Sequence, residues 1–142
     1  MGLVLDASAA LAWLIQRSNP AEAQQADQLL QALHSEDAVV PQLWYSEVAN
    51  GILVAERRGV SDPAKSAIFL GMLNSLPILD DAARPRAVQG AALALARSFG
   101  LTGYDATYLE LALRTGRTLA TFDRQLAEAV RKAGGRVFGD AA

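Results

Sequence analysis

The stretch "GLVLDASAALAWLIQ", Gly2 to Gln16, decides how the rest of the chain is read. "GLVLD" is a short apolar run that ends on an acid, the pattern of a strand buried on both faces. "SAALAWLIQ" follows at once and reads as a helix, with Asp6 or Ser8 as its cap. The segment is apolar, but it lacks a basic leader and Asp6 interrupts it, so it does not read as an export signal.

The alternation continues outward. "NPAEAQQADQLLQALHS" has Pro20 at a helix start and Ala23, Ala26, Leu29, Leu30 and Leu33 on one face. "DAVVP" is a second strand, stopped by Pro41, and "QLWYSEVANGILVAERRG" a longer helix ending at Gly59. A capped helix, "SDPAKSAIFLGMLNSL", and a brief extended "PILD" come next. Helices over "ARPRAVQGAALALARSFG" and "TGYDATYLELALRTG" end at Gly100 and Gly116. "RTLATFD" carries another strand, "DRQLAEAVRKAGG" a helix, and "RVFG" a last strand. Short apolar strands alternating with helices predict an α/β fold: a small central parallel sheet of four to five strands flanked by helices. One domain over residues 1–142 is expected. Ligands in such folds sit beyond the carboxyl ends of the strands.

Composition narrows the chemistry. The chain has no cysteine, which excludes disulfides, thiolate nucleophiles and zinc–thiolate sites and fits a reducing cytoplasm. Its single histidine, His34, lies in the polar "LHSED" and reads as a solvated surface residue, which disfavours a His-activated nucleophile. No apolar run is long enough to span a membrane. The net charge of -2 speaks against a nucleic-acid partner, yet the basic residues are almost all arginine, which suits bidentate phosphate contacts. Arg17, Arg84, Arg86 and Arg124 are the candidate contacts.

Four acids matter most. Asp6 ends the first strand and Asp123 the strand in "LATFD"; either can serve as a helix cap, with Thr121 a rival to Asp123. Asp105 stands three residues after Thr102, as in a capping box. Glu47 sits in the nearly apolar "LWYSEVANGILVA", where an unpartnered carboxylate is costly. In a parallel sheet, a helix that follows a strand starts at the strand's carboxyl edge, which places Asp6, Glu47 and Asp123 on one rim. The helix of Asp105 precedes a strand and runs against it, so its start lies on the same rim. Four crowded carboxylates raise one another's pKa or recruit a cation. A hard divalent ion with oxygen ligands resolves the conflict and points to phosphoryl chemistry. Setting the four aside leaves 11 acids against 13 basic residues.

"VLDASAAL", "SEVANGIL", "TGYDATYLELA" and "ATFDRQL" resemble, in order and spacing, the four motifs of PIN-domain ribonucleases, and the VapC toxins of toxin–antitoxin systems in particular. The resemblance covers essentially the whole chain. It implies a PIN-like three-layer sandwich and an acidic quartet, Asp6, Glu47, Asp105 and Asp123, holding one or two Mg²⁺ or Mn²⁺ ions. Ser8, Asn50 and Thr121 match the family's hydroxyl and polar positions, expected beside the ligands or against phosphate. The implied reaction is hydrolysis of RNA phosphodiesters, leaving a 5′-phosphate and a 3′-hydroxyl. A homodimer, a cognate antitoxin that inhibits the enzyme and a higher toxin–antitoxin assembly are the expected partners. Trp13, Trp44, Tyr45, Ile52, Ile68, Phe69, Leu70 and Met72 are candidates for a partner surface, with core packing the alternative. Three rivals stay open: a PIN nuclease acting in RNA processing or on structured nucleic acid, a catalytically silent binding module, and a haloacid-dehalogenase-type phosphatase. The phosphatase would need a second Asp where Ser8 stands.

Overall fold

A computed structural model describes residues 2–141. Four three-residue strands form the sheet: β1 (Leu3–Leu5), β2 (Ala38–Val40), β3 (Ile78–Asp80) and β4 (Thr118–Ala120). Their order is β3-β2-β1-β4 and every pair is parallel, with Leu3 opposite both Ala38 and Thr118, and Val39 opposite Leu79. Seven helices surround them: α1 (Ala7–Leu11), α2 (Pro20–Ala32), α3 (Leu43–Arg57), α4 (Pro63–Ser75), α5 (Pro85–Phe99), α6 (Gly103–Thr115) and α7 (Arg124–Lys132). β1 and β2 are wholly buried, as their unbroken apolar runs require. β3 is the edge, with Leu79 and Asp80 exposed, and the charge on Asp80 blunts that edge. Among the described residues, no helix is long and apolar enough to cross a membrane.

Local chemistry fixes the helix ends. Asn19, Asp62, Thr102 and Asp123 each accept a hydrogen bond from the first turn of the helix they precede. Gly100 and Gly116 adopt the left-handed conformation that closes α5 and α6, at φ of 64° and 68°. α6 is the central helix: Tyr108, Leu109 and Leu111 are fully buried on it. Arg114 anchors its far end by bonding Glu110 at 2.8 Å and Asp81, just past β3, at 2.7 Å.

Two expectations are corrected. The first helix stops at Leu11, and the chain turns over Ala12 to Leu14, where the Trp13 indole donates to the Ala26 carbonyl of α2. "RVFG" is not a ladder strand. Val137 makes a single parallel bridge to Leu119, and Gly134 and Gly139, both at positive φ, turn the chain away on either side. Of the apolar partner candidates, Trp44, Ile52 and Phe69 are core, Trp13 and Met72 are half-buried, and Tyr45, Ile68 and Leu70 are exposed. His34 is exposed, as its polar neighbours predict.

α1 and α3 meet at Gly51, one turn after Glu47, where a Cβ would come within 2.3 Å of the Leu11 side chain. Gly51→Leu should therefore cost about 1–3 kcal/mol by overpacking. A thermal melt should fall by about 4 °C per kcal/mol lost. An unchanged melt would show that Leu11 moves aside freely.

Candidate functional site

The site is built on the carboxyl edge of β1 and β4. Asp6 follows β1 directly and is 6% exposed. It occupies the cap position of α1, yet its side chain makes no capping hydrogen bond. Its Oδ2 instead accepts from the hydroxyls of Ser8 at 2.7 Å and Thr121 at 2.6 Å. Each hydroxyl also accepts from a backbone N–H of the β4–α7 turn: Phe122 N donates to Ser8 Oγ and Asp123 N to Thr121 Oγ1, both at 3.0 Å. The Asp6 amide donates to the Ala120 carbonyl at 2.9 Å. Asp6 is thus pinned to the turn that carries Asp123.

The other acids come from three helix starts on the same edge. Asp123 Oδ1 caps α7 through Leu126 N at 3.0 Å. Glu47, in the second turn of α3, is half-buried, and its Oε1 accepts the Tyr108 hydroxyl at 2.5 Å. Asp105, in the first turn of α6, is half-buried. Its backbone N–H donates to Thr102, and its carboxylate has no hydrogen-bond partner among the described residues.

Electrostatics bind the four into one group. Burial above all holds the Asp6 carboxyl above its usual range, with Asp123 adding to the rise and the two hydroxyls opposing it. Burial and the charge of Asp6 raise Glu47. Asp105 is pushed up to about 6 by burial and then by Asp123, Asp6 and Glu47. Among the described residues, no arginine or lysine pairs with any of the four.

That distinction matters because Asp80 and Asp81 also end a strand on this edge. Asp81 is gripped by Arg114, which offsets its charge, whereas Asp80 accepts only the neutral Tyr45 hydroxyl and is exposed on β3, where water solvates it. The four remaining carboxylates are hard oxygen donors with uncompensated charge, which fits a divalent cation of the Mg²⁺ or Mn²⁺ type. No three of them are grouped tightly enough to form a ready ligand cage among the described residues.

Of the residues singled out in the sequence, Ser8 and Thr121 touch Asp6 directly, whereas Asn50 is exposed on α3 and has no hydrogen bond among the described residues. Tyr108 was not among them. Its signal is the spacing Asp105–Tyr108, three residues along one helix face. Arg17 bonds Glu22 at 3.2 Å and lies 4.8 Å over the Phe122 ring; Arg124 opens α7 and is exposed. Arg124 lines an open groove of about 630 Å³, which meets the site at Thr121 and Asp123; Arg17 touches two of its lining residues, Glu22 and Phe122. Arg84 and Arg86 are exposed at the start of α5.

The PIN domain family matches this chain over residues 3–132. Over 131 residues the chain is 36% identical to Ribonuclease VapC3 of Pyrobaculum aerophilum, an alignment covering 90% of this chain and 94% of that protein. Its fold is similar to the crystal structure of PAE2754 from Pyrobaculum aerophilum, with a TM-score of 0.64 and 28% identity over 91% of this chain and 79% of that one. It is also similar to FitAcB from Neisseria gonorrhoeae, with a TM-score of 0.63 and 18% identity over 96% of each chain. With the four-stranded parallel sheet, and with both ends of the match inside the region described, these likenesses establish that the chain belongs to the PIN-domain family.

Proposed function

We propose that the chain, as one nuclease domain over residues 1–142, is a Mg²⁺- or Mn²⁺-dependent endoribonuclease and the toxin of a toxin–antitoxin pair. The observation that carries this reading is the meeting of four carboxylates without a cationic partner. RNA as the substrate class is supported by the 36% identity to a protein named as a ribonuclease.

A divalent ion in this site would supply Lewis acidity at the phosphate and a more acidic water nucleophile. Asp6 and Asp105 are the proposed direct ligands, and Glu47 and Asp123 complete the ligand set or orient the attacking water. Ser8 and Thr121 both hold Asp6 through Oδ2, and no side chain among the described residues bonds the other oxygen. Attack by water rather than by the ribose 2′-hydroxyl leaves a 5′-phosphate and a 3′-hydroxyl. Asn50 and the exposed Arg124 are proposed contacts for the nucleic acid.

A homodimer and a cognate inhibitory antitoxin, joined in a higher assembly in the cytoplasm, complete the proposal. α4 supports the partner reading. It is apolar around most of its circumference, with Ile68 76% and Leu70 45% exposed, and Leu53 of α3 is 42% exposed.

Asp6→Ala and Asp105→Asn should each reduce Mn²⁺-dependent RNA cleavage by more than about 100-fold, beyond the 10–100-fold typical of groups that only support a ligand. Undiminished cleavage in either variant refutes the assignment. The 5′ ends of the products, read by sequencing, should carry monophosphates.

The raised carboxylates also set a pH dependence. Asp105 binds its proton more tightly folded, at about 6, than unfolded, at 3.8, so its contribution to stability is lost as pH rises between those values. The metal-free protein should melt higher at pH 5 than at pH 7.5, and Asp105→Asn should abolish part of that difference. Mn²⁺ should raise the melting temperature at pH 7.5 far more than at pH 5. Equal effects at both pH values would contradict the shared ion.

A further inference from the structure

Resting on the metal-dependent reading above, we infer that Tyr108 is a positioning residue for Glu47. Its hydroxyl fixes one carboxylate oxygen and leaves the other for the site. Tyr108 is fully buried in α6, and its hydroxyl lies 2.5 Å from Glu47 Oε1 on α3. α3 packs chiefly on α1, and α6 on α5 and α7. Among the described residues, this is the only side-chain hydrogen bond between α3 and α6. A phenylalanine would fill the same space, and a buried phenol is retained at low cost only where it has a partner. The partner here is a half-buried carboxylate, and a hydroxyl donating to a carboxylate makes one of the stronger hydrogen bonds.

The arrangement repeats what is seen at two other acids. Asp6 is held through Oδ2 by two hydroxyls, and Asp123 through Oδ1 by the Leu126 amide. Glu47 has the longest and most flexible side chain of the four, so it loses most without an anchor. Tyr108 stands three residues after Asp105, on the same face of α6. One helix thus brings both an acid of the site and the group that orients another.

The test is Tyr108→Phe, which removes one oxygen. Calorimetric titration with Mn²⁺ should show affinity weakened about tenfold or more, as for other groups that orient a metal ligand. The Mn²⁺ concentration for half-maximal RNA cleavage should rise by the same factor, and cleavage should recover at saturating Mn²⁺. In a Glu47→Gln background, Tyr108→Phe should weaken Mn²⁺ binding no further. A purely structural role predicts a lower melting temperature with Mn²⁺ affinity unchanged, and that result overturns the inference. If wild-type protein binds Mn²⁺ and cuts RNA while Tyr108→Phe matches it, only this inference falls. If the wild type binds no Mn²⁺, the inference and the proposed function fall together. Should Tyr108→Phe not fold, Tyr108→Met, which also lacks the donor but fills space adaptably, is measured on the same terms. Failure of both to fold assigns Tyr108 to the core alone.

Discussion

The structure turns on a carboxylate that burial disfavours and two hydroxyls that hold it. Asp6 is taken out of water at the end of β1, where ionisation is costly. Ser8 and Thr121 offset that cost by donating to one oxygen, while the turn after β4 donates to both hydroxyls in return. The network couples residues more than a hundred positions apart and sets the height of Asp123 over β1. Without it, the carboxyl ends of β1 and β4 would be joined by backbone alone, through the pairing of Leu5 with Ala120 and the Asp6 amide bond to the Ala120 carbonyl. Sheet register and site geometry are therefore one problem with one solution.

The remaining acids show how a fold can assemble charge against its own stability. Each sits at or near a helix start, where the helix field favours an anion. That local gain lets Asp105 and Asp123 approach Asp6 although burial, and then the charge of its neighbours, raises Asp105 to about 6. The chain uses short-range helix energetics to tolerate a long-range conflict, and the conflict is what makes the edge attractive to a cation.

Much of this was legible in the sequence. "GLVLD" and "DAVVP" are too apolar to be anything but buried strands, and Gly100 and Gly116 close α5 and α6 as their positions predict. The rim of four acids followed from topology alone. The limits are equally physical. Strand-end position does not separate Asp6 and Asp123 from Asp80 and Asp81; the distant Arg114, which offsets Asp81, and the exposure of Asp80 on the edge strand do so. Tyr108 was hidden because a tyrosine inside an apolar helix looks like core until its hydroxyl is seen to reach α3. Asn50 keeps the right spacing from Glu47 but faces outward, since periodicity fixes direction on a helix and not what lies beyond it. "RVFG" has a strand's composition, yet the flanking turns at Gly134 and Gly139 leave it one bridge.

The span between Asp6 and Thr121 has a consequence for synthesis. Asp6 leaves the ribosome more than a hundred residues ahead of its second hydroxyl partner, of Asp123 and of the strand β4 that pairs with β1. Until β4 adds to the sheet, Asp6 lacks Thr121 and the rim lacks Asp123. Late, long-range pairing of this kind is intrinsically slow. The order of the chain thus works as a built-in delay: the four carboxylates share one edge only once β4 has paired with β1.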